Sequence, residues 1–359
     1  MEKYSQYRDR GSGIAPFFPV PSQPSGVAIP LHIFLFVLRL PILLTVTLSY
    51  FFVFAWLPIG SLGKKAALWL ILGTPGIWWI DLQIDGVKKG SLAKHHQNRL
   101  PQPGSIIASS FTSPIDSLYL AAIFDPIFTA SYPSTRQLQR ISLFGAMLRA
   151  LLPPQPSPPL GAKLTDLAVL LRAHPDRCVV VFPECTTTNG RAILPFSPSL
   201  LSAPPRAKIF PISLRYTPGD ITTPLPGAYF SFLWNLCSKP THCIRVRIAE
   251  RTYNASTPAS TSTSSSPSSL SPACSSAVRL PTLPPNSYAT NFLDVLQAAE
   301  ELSASSGSDA SGVEGLGAPE KKVLDRIGEA LARLGRVKRV ALGVREKANF
   351  VEAWGRKRK

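Results

Sequence analysis

The stretch Val179–Phe196, VVVFPECTTTNGRAILPF, decides how the rest of the chain is read. Three valines lead into Phe182-Pro183-Glu184, and a hydroxyl-rich loop ending at Gly190 separates them from Arg191 and a second apolar segment. An unbroken apolar run is the pattern of a strand buried on both faces, and a proline at its end stops the pairing. In open α/β sheets, residues just past the carboxyl ends of the strands meet the ligand. Thr186, Thr187, Thr188 and Asn189 offer donors there, and Gly190 permits a tight turn. Such a loop suits an anionic headgroup. The same residue types also serve an ordinary exit from a strand.

Outward from this stretch, strands and helices alternate. Gly104–Ser109 reads as a short buried strand, Ser110–Asp116 as its exit loop, and Ser117–Phe124 as a helix started by Asp116. Asp125–Ser131 is the next strand. Gln137–Leu152 carries Ile141, Phe144, Leu148 and Leu151 at helical spacing, and Leu164–Arg172 reads as a further helix before Cys178–Phe182. Downstream, Ser197–Ala203 and Phe230–Cys237 read as helical, and Ile209–Tyr216 and Cys243–Ala249 as strands. This order predicts an α/β fold, a mixed sheet flanked by helices, over residues 95–252.

The flanks differ in composition. Residues 1–30 are polar, then rich in proline and glycine, and predict a flexible arm. No charged residue occurs from Leu40 to Leu62, and a broken apolar run, Ala66–Ile80, follows Lys64-Lys65. An apolar run of this length can cross a bilayer core of about 30 Å. Residues 31–80 are therefore expected to form a membrane-embedded segment or hairpin. Basic residues flank both ends (Arg39 before, Lys88, Lys89 and Lys94 after), so charge does not set its orientation. Residues 253–286, dominated by serine, threonine and proline, predict a disordered insertion, and 287–359 a helical, basic region with the strongest helix at Pro319–Leu334.

The chain has 359 residues, 45% hydrophobic and 16% charged, with a net charge of +17. That balance favours an anionic membrane surface or anionic substrate, and the chain lacks the zinc-finger spacings and arginine-rich arm of a nucleic-acid binder. Its five cysteines form no CxxC pair, which argues for a reduced compartment and against a structural metal site.

FPECTTTNGRAILPF resembles the FPEGTTTNG-type motif of the glycerolipid acyltransferases, and further matches in the same order extend the likeness over roughly 104–216. The chain is also similar to fungal lysophosphatidate acyltransferase-like proteins of the endoplasmic reticulum and lipid droplets. The resemblance implies a glycerol-3-phosphate acyltransferase-like fold with an N-terminal membrane hairpin. It implies transfer of an acyl group from acyl-CoA, as cosubstrate and without a metal, to a lysophospholipid, foremost lysophosphatidic acid, by a cytosolic domain on one of those membranes. The family's first motif, NHxxxxD, pairs a base histidine with an aspartate. Asp116 matches that aspartate and Ser113 a serine of the spacer, whereas Ser110 and Phe111 stand at the Asn-His positions. Phenylalanine accepts no proton. The proton acceptor is then Asp116, Glu184 or a substrate phosphate oxygen, or the chain keeps only lipid binding.

The central motif implies that Glu184 is catalytic. It also implies that Pro183, Thr186, Thr187, Asn189, Gly190 and Arg191 contact substrate, with Cys185 in place of the usual glycine. Arg136, Arg140 and Arg149 are the candidates for the motif that approaches the glycerophosphate. Pro211 within Ile209-Phe210-Pro211-Ile212 matches the strand motif that lines the acyl channel. His95, His96, His174 and His242 all precede strands, and parallel strands would put them at the edge away from Phe111 and Glu184.

Overall fold

The computed structural model describes residues 2–22, 26–54, 60–87, 99–254 and 316–356. The chain divides into one unit, Met1–Pro258 with Leu316–Lys359, and a second, Ala259–Gly315, which lies outside the described residues together with the helix expected at Tyr288–Leu302. Most of the Ser/Thr/Pro-rich insertion lies there too.

In the first unit, the three valines of the quoted stretch form β6 (Val179–Val181), with β2 (Ile106–Ser109) parallel on one side and β3 (Ile127–Ala130) parallel on the other. β8 (Lys208–Thr217) pairs parallel with β2, and β9 (His242–Ile248) pairs antiparallel with β8. Alternation within these strands divides the core. Ile107, Val180, Phe210 and Ile212 enter one cluster; Ile106, Ala108, Val179, Val181 and Ile209 enter another on the opposite face. The first face is covered by α3 (Pro114–Phe124), the second by α5 (Leu167–Ala173) and α7 (Ala318–Gly335). Burial on both faces is why these strands read as continuous apolar runs. The expected mixed α/β sheet flanked by helices is thus the fold.

Local elements differ from the periodicity in three places. Gln137–Leu152 divides into β4 (Leu138–Ile141), antiparallel to β3, and α4 (Leu143–Leu151). Ser142 starts α4 by accepting the Gly145 N–H at 3.1 Å. Sheet pairing captures Leu138, which is fully buried, against the helical spacing. Likewise Leu164-Thr165 is β5, paired to β4, and only the residues after Asp166 are helical. Asp116 does not start α3: Ser113 caps it, and Asp116 sits at the third helical position, its carboxylate turned back to the Ser113 N–H.

The segment 31–80 is the larger correction. α1 (Ile29–Ser49), prolonged by a π-helical turn to Phe54, makes 26 helical residues with an 18-residue stretch of mean hydropathy 2.2, long and apolar enough to cross a membrane. The second apolar run adds no second helix of spanning length among the described residues. It forms α2 (Ser61–Gly73) and then β1 (Ile77–Ile84), which enters the sheet parallel to β9. Gly76, at φ +90°, makes the turn between them; a Cβ there would meet the Pro240 carbonyl at 2.6 Å. The α/β unit therefore starts before residue 95. Arg39, midway along α1, donates to the carbonyls of Pro75 (3.2 Å), Lys239 (2.5 Å) and Pro240 (3.0 Å), and Phe36 packs on Trp234. α1 thus lies against the sheet domain through Phe36, Arg39 and buried Leu43, and exposes Phe34, Val37 and Leu38.

Residues 1–30 are not a free arm either. Tyr4, Tyr7 and Phe17 are buried in a cluster with Phe350 of α8 (Val344–Gly355).

Candidate functional site

β2 and β6 end side by side, and their exits carry Ser110-Phe111 and Phe182-Pro183-Glu184. Phe111 is fully buried and stacks on Phe182 with ring centroids 4.4 Å apart and planes 26° apart. Its carbonyl accepts the Thr188 N–H at 3.0 Å, which ties the two exit loops together. Thr112 is held by Thr223, whose N–H reaches its carbonyl at 2.9 Å.

Both expected carboxylates are buried here. Asp116 accepts from the Thr112 N–H (2.6 Å), the Ser113 N–H (2.9 Å), the Thr112 hydroxyl (3.1 Å) and the Tyr216 hydroxyl. Burial still pushes its pKa up, to about 6, against those donors. Glu184 accepts from the Leu194 N–H at 3.3 Å, and the nearby Phe111 backbone also favours its ionised form. With fewer donors, burial carries its pKa further, to about 8. Ser113, expected at the substrate, spends its hydroxyl on the Ile221 carbonyl (3.0 Å).

Cys185 takes φ +60°, the left-handed conformation that glycine adopts without strain. Its thiol lies 3.6 Å from the Pro183 carbonyl, and burial pushes its pKa up to about 11. A thiol so placed is a poor nucleophile at neutral pH.

The motif loop is not open. The Thr187 hydroxyl donates to the Thr223 carbonyl (2.7 Å), and its two oxygens accept from Lys347. Asn189 receives the N-terminal segment: its N–H reaches the Pro16 carbonyl (2.9 Å) and its side-chain amide those of Ala15 (2.8 Å) and Phe18 (2.9 Å). Thr187 and Asn189, expected at the substrate, therefore hold this chain's own termini. Pro183, Thr186 and Pro211 are buried, Gly190 turns at φ +70°, and Arg191 is exposed.

Of the three arginines, Arg136 pairs with Glu320 at the surface (2.8 Å) and exposed Arg140 contacts His174 (3.2 Å). Arg149 lies beside the site. It donates to the Ser131 carbonyl (2.8 Å), covers the Tyr132 ring at 4.5 Å, and its charge is felt at Cys185. His95 and His96 lie outside the described residues, and the expected placement fails at His242. β9 runs against β8, so His242 lies at the same sheet edge as Glu184, where its ring nitrogen contacts the Leu236 carbonyl of α6 (Tyr229–Ser238) at 2.9 Å.

Two relatives are similar to this chain in sequence. A Schizosaccharomyces pombe protein named "Putative lysophosphatidic acid:oleoyl-CoA acyltransferase" is 28% identical over 253 residues, 69% of this chain and 84% of its own length. A Saccharomyces cerevisiae protein, lysophosphatidic acid:oleoyl-CoA acyltransferase 1, is 27% identical over 198 residues, 55% of this chain and 61% of its own. The chain resembles the lysophosphatidic acid acyltransferases. No protein-family model matches it. Against that likeness, two residues at the site were not singled out by motif or spacing. Tyr216 ends an ordinary buried strand pattern. Lys347 carried a signal: it stands three residues after Val344 and three before Phe350, in line with the buried face of α8.

Proposed function

We propose that the protein is an acyl-CoA-dependent acyltransferase that esterifies lysophosphatidic acid to phosphatidic acid at a membrane surface. The likeness over 253 residues to a protein named for that reaction carries the reading, and the Glu184–Asn189 turn beside Asp116 and Arg149 supports it. The oxygen of the acceptor hydroxyl attacks the thioester carbonyl carbon as its proton passes to a base. The carbon–sulfur bond then breaks, and coenzyme A leaves with a proton as the free thiol. Glu184 is the better base: Asp116 is saturated by four donors, whereas Glu184 accepts from one, the Leu194 N–H, and has its pKa pushed up to about 8. Asp116 then holds the Phe111–Ser113 loop. Arg149 faces the acceptor phosphate, and the exposed apolar side of α1 holds the domain on the endoplasmic reticulum or a lipid droplet.

Purified protein incubated with labelled oleoyl-CoA and a panel of lysophospholipids tests the reading. Labelled phosphatidic acid exceeding the other products is the expected result. Lysolipid binding without any labelled product overturns it in favour of a lipid-binding role.

A further inference from the structure

A pocket of about 210 Å³ opens at the sheet edge opposite the motif turn. Asp125 and Ile127, where β3 begins, line it, whereas Ser131, just past the other end of β3, takes the Arg149 hydrogen bond beside the acyl-transfer site. Four extended residues put roughly 13 Å of strand between the two places.

Four cations line the pocket: Lys64 and Lys65 of α2, Arg140 of β4, and Arg177 ahead of β6. Arg140, offered by motif order for the acceptor phosphate, belongs to this edge instead. The four face a single acid, Asp125, which Arg177 approaches at 3.6 Å. Lys65 donates to the Ile123 carbonyl at the end of α3 (3.1 Å), and Arg140 contacts His174. Lys64 makes neither an ion pair nor a hydrogen bond among the described residues. Two further donors lie in the lining. α2 starts there, at Ser61, with no side-chain cap, which leaves its positive end open. Tyr50, only 8% exposed, also lines the pocket, and its hydroxyl has no hydrogen-bond partner among the described residues. Buried polar groups are rarely left so, and a concave positive site with unspent donors suits an anion.

The surroundings narrow the kind of anion. Leu62 follows Ser61, Phe144 follows Leu143, and Phe52 stands two residues after Tyr50; all three are exposed. Phe51 packs on Phe144 with ring centroids 5.2 Å apart, so the ends of α1 and α4 present one apolar rim. A phosphate-binding pocket beside an apolar rim matches a phospholipid, whose head is charged and whose chains are not.

We propose that this pocket binds the phosphate of an anionic membrane phospholipid, at a site separate from the acyl-transfer site. The bound headgroup meets Lys64, Arg140, the Tyr50 hydroxyl and the open end of α2, and its chains lie along Phe52, Leu62 and Phe144. The site needs no turnover to be occupied, so it stands apart from the acyltransferase reading.

The test places the full chain in phosphatidylcholine nanodiscs that contain phosphatidic acid with a photoreactive diazirine close to its glycerol. Labelled residues are located by mass spectrometry. Labels should fall within 50–53, 61–68 and 141–144, and unlabelled phosphatidic acid should displace them. In Lys64→Gln/Arg140→Gln, labelling there should fall about tenfold, the effect of losing a charge-assisted hydrogen bond, while labelling within 182–191 stays as in the parent. A folded double variant that labels the pocket like the parent overturns the proposal. So does extra phosphatidylcholine displacing the label as well as phosphatidic acid, which reduces the pocket to apolar contact. Inorganic phosphate displacing it equally well makes the ligand a free anion and overturns the lipid assignment. Should the double variant fail to fold, the parent decides alone: pocket labelling that unlabelled phosphatidic acid does not displace overturns the proposal.

Discussion

Phe111 lies flat on Phe182, ring to ring at 4.4 Å, where the end of one central strand meets the end of its neighbour. The stack fills the junction of the two exit loops with apolar surface and keeps them in contact. Replacing Phe111 by histidine removes part of that stack and buries a polar ring beside Glu184. Phe111→His should lower the melting temperature, consistent with a loss of about 1 kcal/mol of ring–ring contact. If a missing base limits the rate, turnover should rise toward the ~10²-fold that general-base catalysis contributes. Melting temperature and labelled-product formation, measured together, check both halves.

Cys185 makes a second testable substitution. At φ +60° an L-residue is strained by roughly 1–2 kcal/mol, and a glycine is not. Cys185→Gly should therefore leave stability equal or higher despite the lost thiol packing. Cys185→Val, with a branched Cβ, should lower it by about 1–2 kcal/mol. Thermal unfolding of the two variants beside the parent decides the sign.

The N-terminal segment is held by the motif it covers. Asn189 bonds to Ala15, Pro16 and Phe18, and Phe17 is fully buried. Deleting residues 2–20 removes three buried aromatic side chains, Tyr4, Tyr7 and Phe17, each contributing about 1.5–3 kcal/mol on burial. The truncated chain should melt well below the parent. An unchanged melting temperature would show that the segment contributes nothing to the fold.

The sheet was legible because its central strands are buried on both faces, so Val179–Val181 and Ile209–Tyr216 announce themselves by composition alone. Elements whose state depends on a remote partner were not. Leu138–Ile141 continues a helical spacing, and only pairing with β3 makes it a strand. Ile77–Ile80 ends an apolar run read as a membrane arm, and only its register with β9 makes it part of an edge strand. The same holds at the site. Glu184 and Asp116 stand out by motif, but Lys347 lies 160 positions from Thr187 and is joined to it only by folding. Tyr4 and Phe17 read as part of a polar arm because their partner, Phe350, is at the other end of the chain.

The two carboxylates should separate by experiment. Glu184→Gln removes the proposed base and should cost about 10²–10⁴ in turnover with the melting temperature little changed. Asp116→Asn disturbs the acceptor of four donors and should lower the melting temperature, by about 1–3 kcal/mol in stability, with a smaller loss of turnover per folded molecule. The reverse ranking would move the base assignment from Glu184 to Asp116.

Stability should also depend on pH in a way these groups dictate. Glu184 titrates at about 8 in the folded chain and near 4.5 when unfolded, so the folded state holds the extra proton between those values. That contribution is fully present below about pH 4.5 and is lost as pH rises through 8. Asp116, at about 6 instead of 3.8, adds a loss of the same sign over a lower window. Lys347 acts oppositely: at about 7 folded and 10.5 unfolded, it makes the unfolded state the better proton binder, so stability recovers as pH rises from about 7 toward 10.5. Each proton of difference gives a slope of about 1.4 kcal/mol per pH unit. The groups together predict stability falling from pH 5 to about 7, then a minimum between 7 and 8 where Glu184 and Lys347 oppose each other. Denaturant unfolding of the parent and of Glu184→Gln across pH 5–9 measures this. The variant should lose most of the fall between pH 6 and 7 and keep the rise above 8. Identical slopes in both proteins would show that Glu184 is not the group that binds the proton.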